Sequence, residues 1–209
     1  MKKNLNVPII LASSSPRRIE LLQNLGLRFE ILPADIDEVT EHAQVPAEVV
    51  TELAYMKAKR VQEILQEKKS KLLLQPHVIL AADTIVVLEG DVLGKPEDRD
   101  DAIAMLSRLS QTCHEVYTGV HVIHRDEEKT VAYQDVGLSK VFFRKLDKKE
   151  IEAYVDTKEP MDKAGAYALQ GIGAFLVEKI EGCATNIIGL PVPRTVDLLR
   201  KCRIKIMGY

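Results

Sequence analysis

The chain of 209 residues has 46% hydrophobic and 29% charged residues and a formal net charge of −2. That balance is typical of a globular protein, and the length suffices for one domain or for two small lobes with a sizeable core. A slightly negative chain without a basic block gives no electrostatic reason to propose an extended nucleic-acid-binding surface, so any polyanion that it handles should be small and bound by a few placed cations.

Cysteine usage and hydropathy predict the cellular compartment. The three cysteines lie far apart in the sequence, which indicates free thiols in a reducing compartment and neither a disulfide framework nor a zinc site. The N-terminus lacks the apolar core of a signal peptide, and no run approaches the roughly 18 apolar residues of a membrane-spanning helix. We therefore expect a cytoplasmic protein.

The first predicted elements are a short strand over 7–12, a serine-rich turn and a helix. Ser15 is a good N-cap and Pro16 suits the first helical position, where its missing N–H costs nothing. Arg17 and Arg18 follow in the first turn, where cations oppose the helix dipole and folding alone would favour acidic residues. We therefore interpret the turn as an anion site, most simply for phosphate. The alternative is a capped helix with two solvated arginines.

A short strand over 29–32 precedes an acidic loop with Asp35, Asp37 and Glu38. Three carboxylates within four residues can bind a divalent cation or can stay solvated. Taken alone, the loop favours solvation, because acidic side chains on a loop need no partner.

A long helix over 46–68 carries an apolar stripe in which one position is a lysine. At 100° per residue, Lys57 falls inside that stripe between Leu53 and Val61 and not on the polar face. A lysine that faces the core either extends along the surface to water or reaches into a cleft. The sequence leaves both alternatives open. The segment 66–75 after the helix is predicted to be a loop.

The apolar run over 78–88 predicts a strand that is buried on both faces, as in parallel sheets. Asp83 and Thr84 interrupt this run at its middle. An ionised carboxylate cannot enter an apolar sheet without a partner, because the uncompensated free energy is many kcal/mol. Asp83 therefore has a cationic or metal partner or faces a solvated cleft; satisfaction by backbone N–H groups is the structural alternative.

The second half of the chain continues the alternation of strands and helices. Gly90 lies in a turn after which 92–96 returns towards Asp83, and Lys95 in this segment is a candidate phosphate ligand. Lys163 lies among small residues, where a ligand can approach closely. The further predicted elements are a helix from Asp98, strands over 116–124, 130–143 and 174–180, a helix capped by Asp147, and a last helix to about Leu199.

Several common catalytic motifs are absent from the sequence, among them Walker A, G-x-G-x-x-G and G-x-S-x-G. What remains is a set of cations in turn and stripe positions together with two groups of carboxylates. Cations around phosphates, with carboxylates to hold a divalent metal and a water, predict phosphoryl or nucleotidyl hydrolysis.

Six motifs, spread from residue 7 to about residue 200, resemble the Maf family of nucleoside triphosphate pyrophosphatases. They are Leu11-Ala-Ser-Ser-Ser-Pro-Arg-Arg18, Ala82-Asp-Thr84, Gly94-Lys-Pro96, Tyr117-Thr-Gly119, Glu159-Pro-Met-Asp-Lys-Ala-Gly-Ala-Tyr167 and Asn186-Ile-Ile-Gly-Leu-Pro191. The resemblance implies an α/β fold with a long mixed β-sheet flanked by helices, and two lobes with a central nucleotide-binding cleft (Maf/Ham1-like). It also implies that residues 1–209 form a single Maf-like domain.

The resemblance further implies hydrolysis of a nucleoside triphosphate to the monophosphate and pyrophosphate with a divalent metal, Mg²⁺ or Mn²⁺. Asp83 matches the proton acceptor, with Glu38 and Asp83 as the metal ligands. Other positions expected to line the site are Ser13, Ser15, Arg18, Lys57, Lys95, Asp98 and Lys163. The expected partner is a small-molecule nucleotide, with no nucleic acid and no membrane; a homodimer is left open.

Arg17, Thr84 and Gln170 stand where the subgroup acting on dTTP and UTP carries its specificity residues. Arginine has only donors, so Arg17 facing the base O4 position would leave donors unpaired against cytosine. The sequence thus predicts good turnover of dTTP and UTP, poor turnover of CTP and slow turnover of purine triphosphates. The rival interpretations are a non-catalytic nucleotide-binding regulator of cell division and a nucleic-acid-binding module, which the negative net charge disfavours.

Overall fold

The computed structural model describes residues 7–38, 40 and 45–207. The strands are β1 (Ile9–Leu11), β2 (Phe29–Ile31), β3 (His77–Leu88), β4 (Asp91–Leu93), β5 (Cys113–Arg125), β6 (Thr130–Phe143) and β7 (Val177–Glu181). The helices are α1 (Pro16–Asn24), α2 (Pro46–Glu67), α3 (Arg99–Leu109), α4 (Lys148–Asp156), α5 (Ala184–Ile188) and α6 (Val192–Lys201). Short 3₁₀ turns cover Lys71–Leu74, Glu159–Asp162, Ala164–Ala166 and Ile172–Leu176.

The strands form one mixed sheet, which confirms the predicted α/β class. Its order is β2-β1-β3-β5-β6-β7, and β4 pairs with β3. β1 is parallel to both β2 and β3, whereas β4 runs antiparallel to β3 and β7 antiparallel to β6. β3, as predicted, is buried along its length except at the half-buried Thr84, and the structure describes this strand throughout.

The chain divides into two compact units. The first comprises Met1–Asp83, Gly119–Val136 and Gly189–Tyr209, and its core joins α2 to β1, β3 and β5 through apolar residues such as Val61, Ile79 and Ile123. The second comprises Thr84–Thr118 and Gly137–Ile188, with a core built from α3, α4 and the adjoining strands. The single-domain organisation and the nucleotide-binding cleft stay predictions.

Two predicted segments differ from the structure. The segment 66–75 is not a plain loop, because α2 extends to Glu67 and a 3₁₀ turn covers Lys71–Leu74. The strand predicted over 174–180 begins only at Val177, since a 3₁₀ turn occupies Ile172–Leu176. The carboxylate of Glu159 accepts hydrogen bonds from the backbone N–H groups of Ile172 (3.1 Å) and Gly173 (2.8 Å), which hold this segment in a turn despite its apolar sequence.

Gly119 fixes how closely β5 approaches the first turns of α2. A Cβ atom at this position would lie 2.3 Å from the backbone oxygen of Val50, far inside van der Waals contact. Only glycine therefore permits this approach, which also sets the height of α2 above the sheet.

No helix within the described residues has the length and apolarity needed to cross a membrane.

The second unit contains a buried histidine that should give the protein a measurable acid sensitivity. His114 Nε2 lies 2.8 Å from the hydroxyl of Tyr167, and the ring packs edge-on against Phe143. Burial lowers the pKa of His114 from 6.5 to about 4. Because this pKa is lower in the folded than in the unfolded state, the unfolded chain binds the proton first, and stability should fall as the pH drops from about 6.5 towards 4.

We expect His114→Gln to reduce this acid sensitivity. The amide of glutamine can donate or accept a hydrogen bond, so it can still pair with the Tyr167 hydroxyl, but it does not titrate. Between about pH 7 and pH 4.5, the wild type should lose about 2–3 kcal/mol more of its free energy of unfolding than the variant. Urea unfolding at both pH values measures this difference. Equal losses in the two proteins would contradict the assignment.

Candidate active site

Three charged side chains, Glu38, Lys57 and Asp83, meet in the first unit; we call them the Asp83 cluster. The Lys57 ammonium donates to Asp83 Oδ1 and to Glu38 Oε1, each at 2.6 Å. Lys57 and Asp83 are buried, at 7% and 5% exposed, whereas the Glu38 side chain is 56% exposed. The cluster therefore begins in the core and ends at the surface.

Local periodicity explains why these residues meet. Alternation along β3 places Asp83 on the same face as Ile79 and Ala81, which pack against α2. Lys57 lies on the stripe of α2 that faces this side of the sheet, one turn from Leu53 and Val61, and both of these are buried. Lys57 therefore does not extend to water but pairs with the carboxylate that the sequence left in need of a partner.

The serine-rich turn lies in the same unit and is cross-linked by Arg18. The Arg18 guanidinium donates through Nη1 to Ser13 Oγ at 3.2 Å and through Nε to the backbone oxygen of Gly189 at 2.8 Å. The backbone N–H of Ser15 donates to the same Ser13 oxygen at 3.2 Å. Ser15 occupies the predicted N-cap position of α1, but its side chain makes no capping hydrogen bond. These contacts tie the turn to Arg18 and to the backbone at Gly189.

Arg18 is also coupled electrostatically to the Asp83 cluster. Burial lowers the pKa of Arg18, and the negative charges of Asp83 and Glu38 oppose that shift, while the positive charge of Arg17 adds to it. A guanidinium titrates far above neutral pH and stays charged despite such shifts. The first unit therefore holds two cations, Arg18 and Lys57, within the field of two carboxylates.

The two carboxylates of the Asp83 cluster fit the chemistry of a hard divalent cation. Across residues 7–38, 40 and 45–207, no group of three or more His, Cys, Asp or Glu side chains is arranged to hold a metal. Mg²⁺, however, is commonly bound through one or two carboxylates, with substrate phosphates and waters completing its shell. Glu38 and Asp83 each bond Lys57 through one oxygen, and an ionised carboxylate has lone pairs for more than one partner.

The second unit carries four further predicted site residues: Thr84, Lys95, Lys163 and Gln170. The backbone N–H of Gly165 donates to the backbone oxygen of Gly94 at 2.9 Å, which brings together the loops that carry Lys95 and Lys163. Lys95 is exposed, and the half-buried Lys163 is paired with Asp162. Gln170 is half-buried and directly precedes Gly171, which has a φ of +83°.

Other predicted residues have a local role or lie in solvent. Asp98 caps α3, since its Oδ1 accepts the backbone N–H of Asp101 at 2.9 Å, as the residues alone predicted. Asp35 and Asp37 are exposed, which agrees with the solvated interpretation of the acidic loop.

Sequence reasoning gave no role to two fully buried polar residues, Thr118 and Asn186. Thr118 Oγ1 lies 2.9 Å from Thr84 Oγ1, and it donates to the backbone oxygen of Asn186 at 2.9 Å. The available signal was a hydroxyl inside the apolar run of β5 and an asparagine before the last helix. Neither pattern indicates which distant residue is the partner.

Comparisons with known proteins cover nearly the whole chain. The family model described as Maf-like protein matches residues 8–202. A dTTP/UTP pyrophosphatase of Acetivibrio thermocellus is 46% identical over 96% of this chain and 98% of its own. A protein of the same name from Pelotomaculum thermopropionicum is 47% identical over 92% of this chain and 95% of its own.

A solved structure, that of the Staphylococcus aureus Ham1 protein, covers 72% of this chain at 12% identity. Its TM-score of 0.34 is too low to support an argument about the fold. The class of the fold therefore rests on the sheet described above.

Proposed function

This chain belongs to the Maf family, and from that premise we propose that it is a nucleoside triphosphate pyrophosphatase acting on dTTP and UTP. The observation that carries the proposal is the similarity, over 92% or more of the chain, to relatives named dTTP/UTP pyrophosphatase. The Asp83 cluster beside the serine-rich turn supports it, because it combines a buried carboxylate with cations suited to phosphates.

In the proposed reaction, a water oxygen attacks the α-phosphorus of the triphosphate and the bond between that phosphorus and the bridging oxygen breaks. Pyrophosphate leaves with the electron pair, and Asp83 accepts the proton of the attacking water. Lys57 holds the Asp83 carboxylate in place through its 2.6 Å bond. The serine-rich turn and Arg18 bind phosphate oxygens, and Lys95 and Lys163 supply further cations.

The proposal includes a divalent cation, Mg²⁺ or Mn²⁺, which Glu38 and Asp83 would hold. When bound, such a cation neutralises charge that develops on the phosphate oxygens. It includes a cytoplasmic location, which the three free cysteines support. It also includes base recognition by Arg17, Thr84 and Gln170.

The decisive experiment measures which bond is broken and for which nucleotide. Purified protein is incubated with dTTP, UTP, CTP, ATP or GTP in oxygen-labelled water. The products are then separated, and their masses are determined by mass spectrometry. We expect monophosphate and pyrophosphate from dTTP and UTP, with the label in the monophosphate. Diphosphate with inorganic phosphate would overturn the reaction class, and a preference for CTP or a purine would overturn the substrate assignment. Nucleotide binding without any product would favour the non-catalytic regulator.

A further inference from the structure

The Thr84 hydroxyl belongs to a chain of hydrogen bonds in the second unit. Its Oγ1 lies 2.9 Å from Thr118 Oγ1, which in turn lies 2.9 Å from the backbone oxygen of Asn186. Thr118 and Asn186 are fully buried, whereas Thr84 is half-buried. We call these three residues the hydroxyl relay. One end of the relay is fixed in the core and the other reaches a partly exposed position.

The chemistry of the last acceptor sets the direction of every bond in the relay. A carbonyl oxygen cannot donate, so Thr118 gives its one hydroxyl proton to Asn186. Thr118 then has only lone pairs for Thr84, and Thr84 must be the donor between them. The opposite direction would set oxygen lone pairs against each other at 2.9 Å in a buried position. Towards any further partner, the Thr84 hydroxyl oxygen can therefore act only as a hydrogen-bond acceptor.

The core end of the relay is held from several sides. Asn186 Nδ2 donates to the backbone oxygen of Val116 at 2.9 Å and to Ser139 Oγ at 3.1 Å. Ser139 Oγ in turn donates to the backbone oxygen of Cys183 at 3.0 Å. Since these bonds fix the segment that carries the Asn186 carbonyl, the relay has a fixed end and a fixed direction.

We propose that Thr118 and Asn186 are positioning residues that hold Thr84 as a hydrogen-bond acceptor for the N3–H group of uracil or thymine. This inference rests on the proposed function. Uracil and thymine carry a hydrogen on N3, whereas N3 of cytosine is itself an acceptor. Cytosine would therefore set its N3 lone pair against the lone pairs of Thr84. A site built to bond a substrate N–H rejects an analogue that lacks it. The relay thus selects against CTP independently of Arg17.

The test replaces Thr118 with valine, which keeps the shape and removes the hydroxyl. Thr84 can then turn its proton towards the base and accommodate cytosine. We expect the ratio of kcat/KM for UTP to that for CTP to fall by about tenfold or more in Thr118→Val. Thr118→Ser retains a hydroxyl and should retain the ratio.

Thr195→Val is the matched control for the loss of a buried hydroxyl. Thr195 is also fully buried and donates to a backbone oxygen, that of Pro191, at 3.0 Å, but it has no bond to Thr84. This variant should have a lower melting temperature and an unchanged UTP-to-CTP ratio. Equal losses for UTP and CTP in Thr118→Val would overturn the relay, as would a Thr118→Ser ratio as low as that of Thr118→Val.

A second variant decides the question if Thr118→Val does not fold. Thr84→Val removes the acceptor from a half-buried position, so kcat/KM should fall for UTP and not for CTP. Equal falls for both nucleotides would overturn the relay. The wild-type measurement tests the proposed function separately from the relay. A wild type that does not hydrolyse UTP overturns the proposed function, whereas a wild type that prefers UTP, with an unchanged ratio in the variants, overturns the relay alone.

Discussion

Asp83→Asn is expected to lower kcat for UTP by roughly 10²–10⁴-fold, the usual contribution of a general base. The amide keeps the shape of the carboxylate and can still accept the Lys57 hydrogen bond through its oxygen, but it cannot take the proton of the attacking water. Folding should therefore survive. Steady-state kinetics together with a thermal melt measure both expectations.

The matched control for this change is Asp91→Asn. Asp91 is exposed on β4 and pairs with Arg108 at the surface, so the same substitution removes a charge of little energetic value. Its kcat should equal that of the wild type. An Asp83→Asn protein that folds and keeps near-full turnover would remove Asp83 from the role of proton acceptor.

Lys57→Met is expected to reduce both turnover and stability. The substitution leaves Asp83, at 5% exposed, without its bonded cation, and breaking a buried ion pair on one side typically costs about 3–5 kcal/mol. Turnover should fall steeply because the carboxylate is no longer held in place. Urea unfolding and steady-state kinetics measure the two losses.

Two companion variants make this result specific. Lys57→Met combined with Asp83→Asn removes both charges, so the double variant should regain much of the lost stability while remaining inactive. Lys59→Met changes an exposed lysine of the same helix, which lies 5.9 Å from the Tyr55 ring, and should have little effect. A single variant as stable as the wild type would show that Lys57 does not stabilise the buried carboxylate.

The pairing of Asp83 with Lys57 illustrates what the sequence could predict. A carboxylate in an apolar strand requires a partner, and the ammonium group of a lysine in an apolar helical stripe must reach water or a group that it can bond. Both requirements were visible in short windows, because they depend on periods of two and 3.6 residues. That the two residues satisfy each other depends on the register of α2 against β3, which no local pattern specifies.

The hydroxyl relay illustrates what remained out of reach. Thr84 and Thr118 are 34 residues apart, and Thr118 and Asn186 are 68 apart. Their bonds exist only after the strands and the segment around α5 have packed together. The predicted start of β7 was wrong for a related reason. The Glu159 carboxylate binds two backbone N–H groups of an apolar segment, and these bonds override its strand propensity.

The charge balance around Asp83 has a practical consequence for crystallography. Arg18 and Lys57 carry two positive charges and Glu38 and Asp83 two negative charges, so these four residues sum to zero. Asp83→Asn raises the net charge of these four residues to +1, which favours binding of the polyanionic triphosphate. In buffer without divalent cations, the slow variant should therefore bind UTP more tightly than the wild type at low salt, and added salt should reduce that difference. A variant that binds its nucleotide but hydrolyses it slowly is suited to co-crystallisation with the intact triphosphate.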